Sequence, residues 1–156
     1  MTVVRNAVHV PKERKFLPRD ISMDEWSGLE KYFKELADRK ISSAQDLQQW
    51  LLDWNELDAA LDEEHAWRYI RSTCDTTDPA LEKAYDHFVS EIEPKAAPWI
   101  NILNKKLDSS PFRDQLDLSM YRIFLRTVRN EIELFREENI PLFTRIDQLS
   151  QKYGKI

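Results

Sequence analysis

An all-α domain of about five helices is the fold this sequence predicts, and three observations carry that reading. Only Gly28 and Gly154 are glycines in 156 residues, whereas sheet-rich, turn-rich folds draw on glycine for backbone angles other residues avoid. Apolar residues recur at three- and four-residue intervals over long stretches, the period of one face of a helix. A third of the residues are charged and five are Trp, the balance of amphipathic helices around an aromatic core. Two of the helices are long, the third is bent at a proline, and an antiparallel, bundle-like packing is expected.

The elements follow in order. Residues 1–21 read as an extended N-terminal strap: Thr2-Val3-Val4 and Val8-His9-Val10 are β-prone, and Pro11 and Pro18 interrupt anything longer. Residues 22–156 read as the helical domain. Ser22-Met23-Asp24-Glu25 has the form of a capping box, with Trp26, Leu29, Phe33 and Leu36 behind it, so a first helix is expected to reach about Arg39. Ser42 or Ser43 caps a second helix of roughly 30 residues, about 45 Å long, striped by Leu47, Trp50, Leu51, Trp54, Leu57, Leu61, Tyr69 and Ile70. Asp78-Pro79 reads as a cap followed by proline in the first turn of the third helix. Its inner face is Leu81, Ala84, Tyr85, Phe88, Val89 and Ile92, and Pro94 should kink it before the stripe resumes at Trp99, Ile100, Leu103 and Leu107. A fourth helix starts at Leu118 or Ser119 with Tyr121, Phe124, Leu125, Val128, Ile132 and Phe135 facing inward. Asn139 suits a left-handed C-cap, and Pro141 opens a fifth helix reaching Tyr153.

Charge and composition narrow the function. Residues 1–20 hold five bases against Glu13 and Asp20, a balance of +3, within a chain whose net charge is −5. Between Ile41 and Trp67 lie seven acids, Asp46, Asp53, Glu56, Asp58, Asp62, Glu63 and Glu64, with no Lys or Arg. That surface repels phosphate backbones, so nucleic acid is not an expected partner, and a solvated helix face is the reading of the acidic stretch. The single Cys74 cannot form an intramolecular disulfide and fits a reducing compartment. No apolar run approaches the ~20 residues that span a bilayer, so a membrane is not expected and the location expected is cytoplasmic.

The search for chemistry is mostly negative. The histidines are His9, His65 and His87, and H-E-x-x-H does not occur. Asp62-Glu63-Glu64-His65 offers one carboxylate-x-x-His pair of the kind a di-iron bundle needs twice, but Ala84 stands three residues before His87. His65 is read as an ordinary, partly exposed helical histidine, and a bundle enzyme with its own metal fails on ligand count. Cys74 lacks the adjacent His of a thiol nucleophile and is read as a small, partly buried packing residue. Asp75-Thr76-Thr77-Asp78 lacks the alternating acids and glycine of a calcium loop; turn and cap chemistry accounts for it. The tryptophans read as core, except Trp67, which stands off its helix's stripe and suits an outside contact or a satellite cluster. No catalytic, cofactor-binding or metal residue is assigned.

Several strings, in order, are similar to one family: Leu17-Pro18-Arg19-Asp20, Asp46-Leu47-Gln48-Gln49-Trp50-Leu51-Leu52, Tyr69-Ile70-Arg71 with Asp75-Thr76-Thr77-Asp78, Glu93-Pro94-Lys95, the run Leu134 to Leu142, and Tyr153-Gly154-Lys155-Ile156. They resemble the N-terminal region of oligoendopeptidase F-like proteins, in the thimet oligopeptidase family of zinc metallopeptidases, over about residues 16–156. The resemblance implies a helical part that encloses, with a catalytic part, a channel admitting short peptides. It places the family's zinc and its H-E-x-x-H helix downstream, so no catalytic residue carries over to a position here. The expected role is channel wall or lid, inactive alone, with the catalytic part as partner. A stand-alone helical interaction module, or a homo-oligomer, is the alternative.

Overall fold

The computed structural model describes residues 14–153; residues 1–13 and 154–156, with the β-prone strings, Pro11, His9 and Gly154, lie outside the described residues. The helices are α1 (Trp26–Asp38), α2 (Ala44–Cys74), α3 (Pro79–His87), α4 (Glu93–Asp108), α5 (Leu118–Leu134) and α6 (Ile140–Tyr153). A π-helical turn, Phe88–Ile92, fuses α3 to α4, so the expected bent third helix is one rod running from residue 79 to 108. Short 3₁₀ turns at Arg113–Gln115 and Glu137–Asn139 precede α5 and α6. No strand occurs among the described residues.

Local chemistry explains most boundaries. Ser43 Oγ accepts from Asp46 N at 3.0 Å, and the Asp46 carboxylate returns the bond to Ser42 N at 3.0 Å, closing a reciprocal cap on α2. Asp78 Oδ1 takes Ala80 N at 2.8 Å with Pro79 in the first turn of α3. The bend also has a cause: Pro94 has no N–H, and in a regular helix its ring would press on the carbonyl of Ser90. Widening the preceding turn, so that Glu93 N–H bonds back to Phe88 O, relieves that clash. The irregularity therefore sits in the five residues before Glu93, not at Pro94 itself.

Two expected caps are corrected. At α1, Ser22 Oγ accepts from Asp24 N at 3.2 Å and forms a local turn, and the helix starts only at Trp26 with no side-chain cap from Glu25. Asp24 is drawn instead to Arg68 of α2, Oδ1 to Nη2 at 2.8 Å, and Met23 beside it is buried. At α5, the helix ends at Leu134 with Phe135 extended, and Asn139 belongs to the turn leading into α6. The described residues contain no positive φ, so Asn139 is not a left-handed cap. Arg136 Nη1 donates to Glu133 O at 2.9 Å and Phe135 O at 2.6 Å, serving the carbonyls that a glycine-based cap would otherwise serve.

A second basic side chain does the same for α1. Lys106 Nζ, on α4, donates to Leu36 O at 2.9 Å, Ala37 O at 2.8 Å and Arg39 O at 2.5 Å. Leu36 O also receives the indole N–H of Trp50 at 2.9 Å. Terminal carbonyls need partners when they are withdrawn from water, and long-range donors here allow helices to end with no glycine. The core is built by Leu29, Phe33 and Leu36 of α1, Leu47 to Leu61 of α2, Phe88, Ile92, Leu103 and Leu107 of the bent rod, and Val128 of α5. In this packing α4 lies between α1 and α5, α2 lies along α3, and α6 rests on the π turn and α4.

Candidate functional site

The acidic stretch of α2 is more than a solvated face. Glu56 accepts three successive backbone N–H groups, Lys15 at 2.9 Å, Phe16 at 3.0 Å and Leu17 at 2.7 Å. Glu63 pairs with Arg14 at 3.0 Å, Asp53 with Arg39 at 2.6 Å, and Glu64 with Arg68 at 3.1 Å. The basic N-terminal segment is thus bound, from Arg14 onward, along the acidic helix, and the solvated-face reading is corrected for these acids. Among the described residues Asp58 has no such cation: burial, then the charges of Asp62 and Glu131, push its carboxyl up to about 6.

His65 is half-buried, as expected, but it is committed. Its Nδ1 lies 2.5 Å from Glu93 Oε1, and its ring stands edge-on to Tyr85 with centroids 5.6 Å apart. The hydrogen bond to Glu93 raises its pKa against the opposing effect of burial, with Glu93, Asp147 and Asp62 adding to the rise. Asp147 is itself raised by burial and by Glu93, and burial pushes the Tyr85 phenol up to about 12. Four helices therefore meet at one polar knot. It does not make a metal centre: among the described residues no group of three or more His, Cys, Asp or Glu is arranged to hold an ion. His87 is turned elsewhere, with Nε2 at 2.8 Å from Asp24 O.

Cys74 is exposed at the last position of α2, which corrects the expectation of a partly buried thiol. Beyond Leu61 the helix leaves the core; Ser72 is its one buried residue there, and Tyr69 and Ile70 are half-exposed despite lying on the stripe. Trp67 is 49% exposed with the Arg71 guanidinium 5.8 Å from its ring, an outward position that departs from the satellite-cluster alternative. Asp75 Oδ1 accepts from Thr77 N at 3.0 Å and Oγ1 at 2.7 Å, so the Asp75–Asp78 string is a turn and a cap.

The feature that periodicity did not identify is the outer face of α5 and α6. Val128 is the one buried residue of α5, while Met120 is 73%, Ile123 64% and Leu134 75% exposed. Phe124, expected inside, is partly open at the rim, edge-on to Trp54 at 6.1 Å. In α6 the polarity is inverted. Leu142, Ile146, Leu149 and Tyr153 form a solvent-facing apolar stripe, whereas Gln151 is fully buried and Gln148 Nε2 reaches Ser90 Oγ at 3.0 Å. Both helices thus leave a broad apolar surface open to water.

The comparison with known families agrees with the helical architecture: residues 18–135 match the model of the Peptidase M3 N-terminal domain. That span is more than half of the chain, and the protein belongs to this family. No curated protein and no solved structure matches it. The match ends at Phe135, so α6 and its inverted face lie beyond the part of the chain that the family model describes.

Proposed function

We propose that this chain is the helical N-terminal part of a zinc-dependent oligopeptidase, forming channel wall or lid over a catalytic part and hydrolysing nothing alone. The observation that carries the reading is the family match combined with the outward apolar faces of α5 and α6. A helix that turns Leu142, Ile146, Leu149 and Tyr153 to water is stabilised when another body covers them. The catalytic part is the body proposed, and short peptides are the substrates of the assembled enzyme. The residues described here do not fit zinc: the His65 ring is engaged by Glu93, and no further ligand converges on it. No catalytic step is assigned to this chain. A free Cys74 thiol and the lack, among the described residues, of a helix long and apolar enough to cross a membrane support a cytoplasmic setting.

The purified 156-residue chain, mixed with equimolar zinc and a panel of short quenched peptides, is expected to retain no stoichiometric metal and cleave nothing. Chelator-sensitive hydrolysis would overturn the reading. The same apolar face favours one other function, a homo-oligomer or stand-alone interaction module. Sedimentation separates them: a monomer supports the lid, and a defined dimer dissolved by Ile146→Glu supports the alternative.

A further inference from the structure

α6 is held to the body by polar chemistry, with little packing. Its inward positions include Asp147, Gln148 and Gln151, and the buried Gln151 amide has no hydrogen-bond partner among the described residues. A cavity of about 100 Å³, lined by Pro94, Ala97, Phe143 and Asp147, lies where α6 crosses α4. The helix also lands on the π turn, through Gln148 and Ser90, and such turns break the regular ladder of a helix. Apolar burial, the usual anchor of a surface helix, is thus weak on the side of α6 that faces the domain.

What remains is the charge cluster. His65 of α2 is hydrogen-bonded to Glu93 of α4, and the charges that act on it are Glu93, Asp147 of α6 and Asp62 of its own helix. From α3 and the π turn, Tyr85 and Phe88 present ring edges to the imidazole, 5.6 and 6.4 Å away between centroids. Glu93 of α4 and Asp147 of α6 both line the cavity at the seam, where their like charges repel, and the imidazolium hydrogen-bonded to Glu93 is the positive charge that relieves them.

We propose that α6 is a pH-gated flap: protonated His65 holds it on the helical body by offsetting Glu93 and Asp147, and deprotonation of His65 releases it. The sign follows from the direction of the shifts. A histidine whose folded pKa is raised contributes stability that is full below its unfolded value, near 6.5, and lost as pH rises through the folded value. Tyr85 titrates too high to take part below pH 9. The inference does not rest on the peptidase reading, since the seam lies wholly within this chain.

The test is amide hydrogen exchange on the intact chain between pH 6 and 9, with rates corrected for intrinsic chemistry and read as protection factors. Peptides covering 140–153 are expected to lose protection severalfold across that range, in the direction set by the raised His65 pKa. Peptides from α1 and α4 should keep theirs. Asp147→Asn, which removes the repulsion without removing α6, should flatten the profile, and His65→Gln should leave α6 open at pH 6. An NMR titration of the His65 ring should give a midpoint above 6.5. Protection of 140–153 that does not change with pH overturns the proposal. So does a profile unaltered by Asp147→Asn, or a loss that spreads equally to α1.

Discussion

The first two helices and the last two obey the same spacing rule and treat their apolar residues in opposite ways. In α1 and the first half of α2, Leu29, Phe33, Leu36, Leu47, Trp50 and Leu57 are almost completely withdrawn from water. In α5 and α6, one apolar side chain, Val128, is buried, and the one buried residue of α6 is a glutamine. Helical periodicity reports that a face exists; it does not report which body the face meets. The first pair completes its core within this chain, and the second pair presents material for a core with something else. That contrast places the buried core of the domain at one end and its exposed apolar surface at the other.

The contrast can be broken most severely at its buried end. Trp50→Ala removes a side chain with no exposed surface and the indole donor to Leu36 O. It should cost about 3–5 kcal/mol in urea denaturation. By comparison, Ile123→Ser on the outer face should change stability by no more than about 0.5 kcal/mol and reduce binding of a hydrophobic dye. If the two substitutions cost the same, α5 shares the core after all.

Lys106→Met sharpens the same comparison at an intermediate scale. It orphans the carbonyls of Ala37 and Arg39 and leaves Leu36 O to Trp50 alone. The expected loss is about 2–3 kcal/mol, together with faster amide exchange at the end of α1. Burial lowers the Lys106 pKa. A lowered lysine destabilises the folded state while it stays charged, so the wild-type protein gains stability, and the Lys106→Met deficit widens, as pH rises from the folded value towards 10.5.

The smallest expected effect has the opposite sign. Burial, Asp62 and Glu131 raise the Asp58 carboxyl from 3.8 to about 6, so the folded state loses stability as pH rises between those values. Asp58→Asn should therefore stabilise the protein above pH 6 and do nothing at pH 4. Asp58 reaches water at the helix surface even though neighbouring protein atoms desolvate part of its carboxyl, and screening on the open side holds the gain to about 1 kcal/mol or less. Thermal melts at the two pH values read it directly.

Much of the fold was legible because helices are local objects. Ser43, Asp78 and Pro79 act within four residues of where they stand, and the bend before Pro94 follows from one missing N–H and one ring. The ends near Ser22 and Asn139 depart from the capping motifs because one distant arginine and local turns decide them: Arg68 takes Asp24 from 44 residues away, and Arg136 serves carbonyls one and three residues before it. The candidate site was less legible still. The run of acids on α2 was visible, but not that Glu56 would hold the backbone of residues 15–17, some 40 positions earlier.

Sequence by itself determined the helical class and the positions of most breaks. It also held the strings that resemble the M3 peptidase family, to which the match over residues 18–135 assigns the chain. Tertiary structure alone decided how helices could end without glycine, because Lys106 reaches α1 across 67 to 70 residues. It alone decided that His65 would pair with Glu93 of another helix, and that α6 would turn its apolar stripe outward. The physical reason is the same in each case. A three-to-four spacing and a cap are set by bonds spanning one turn, whereas the choice of buried face and charge partner is made between segments that meet only when the chain packs.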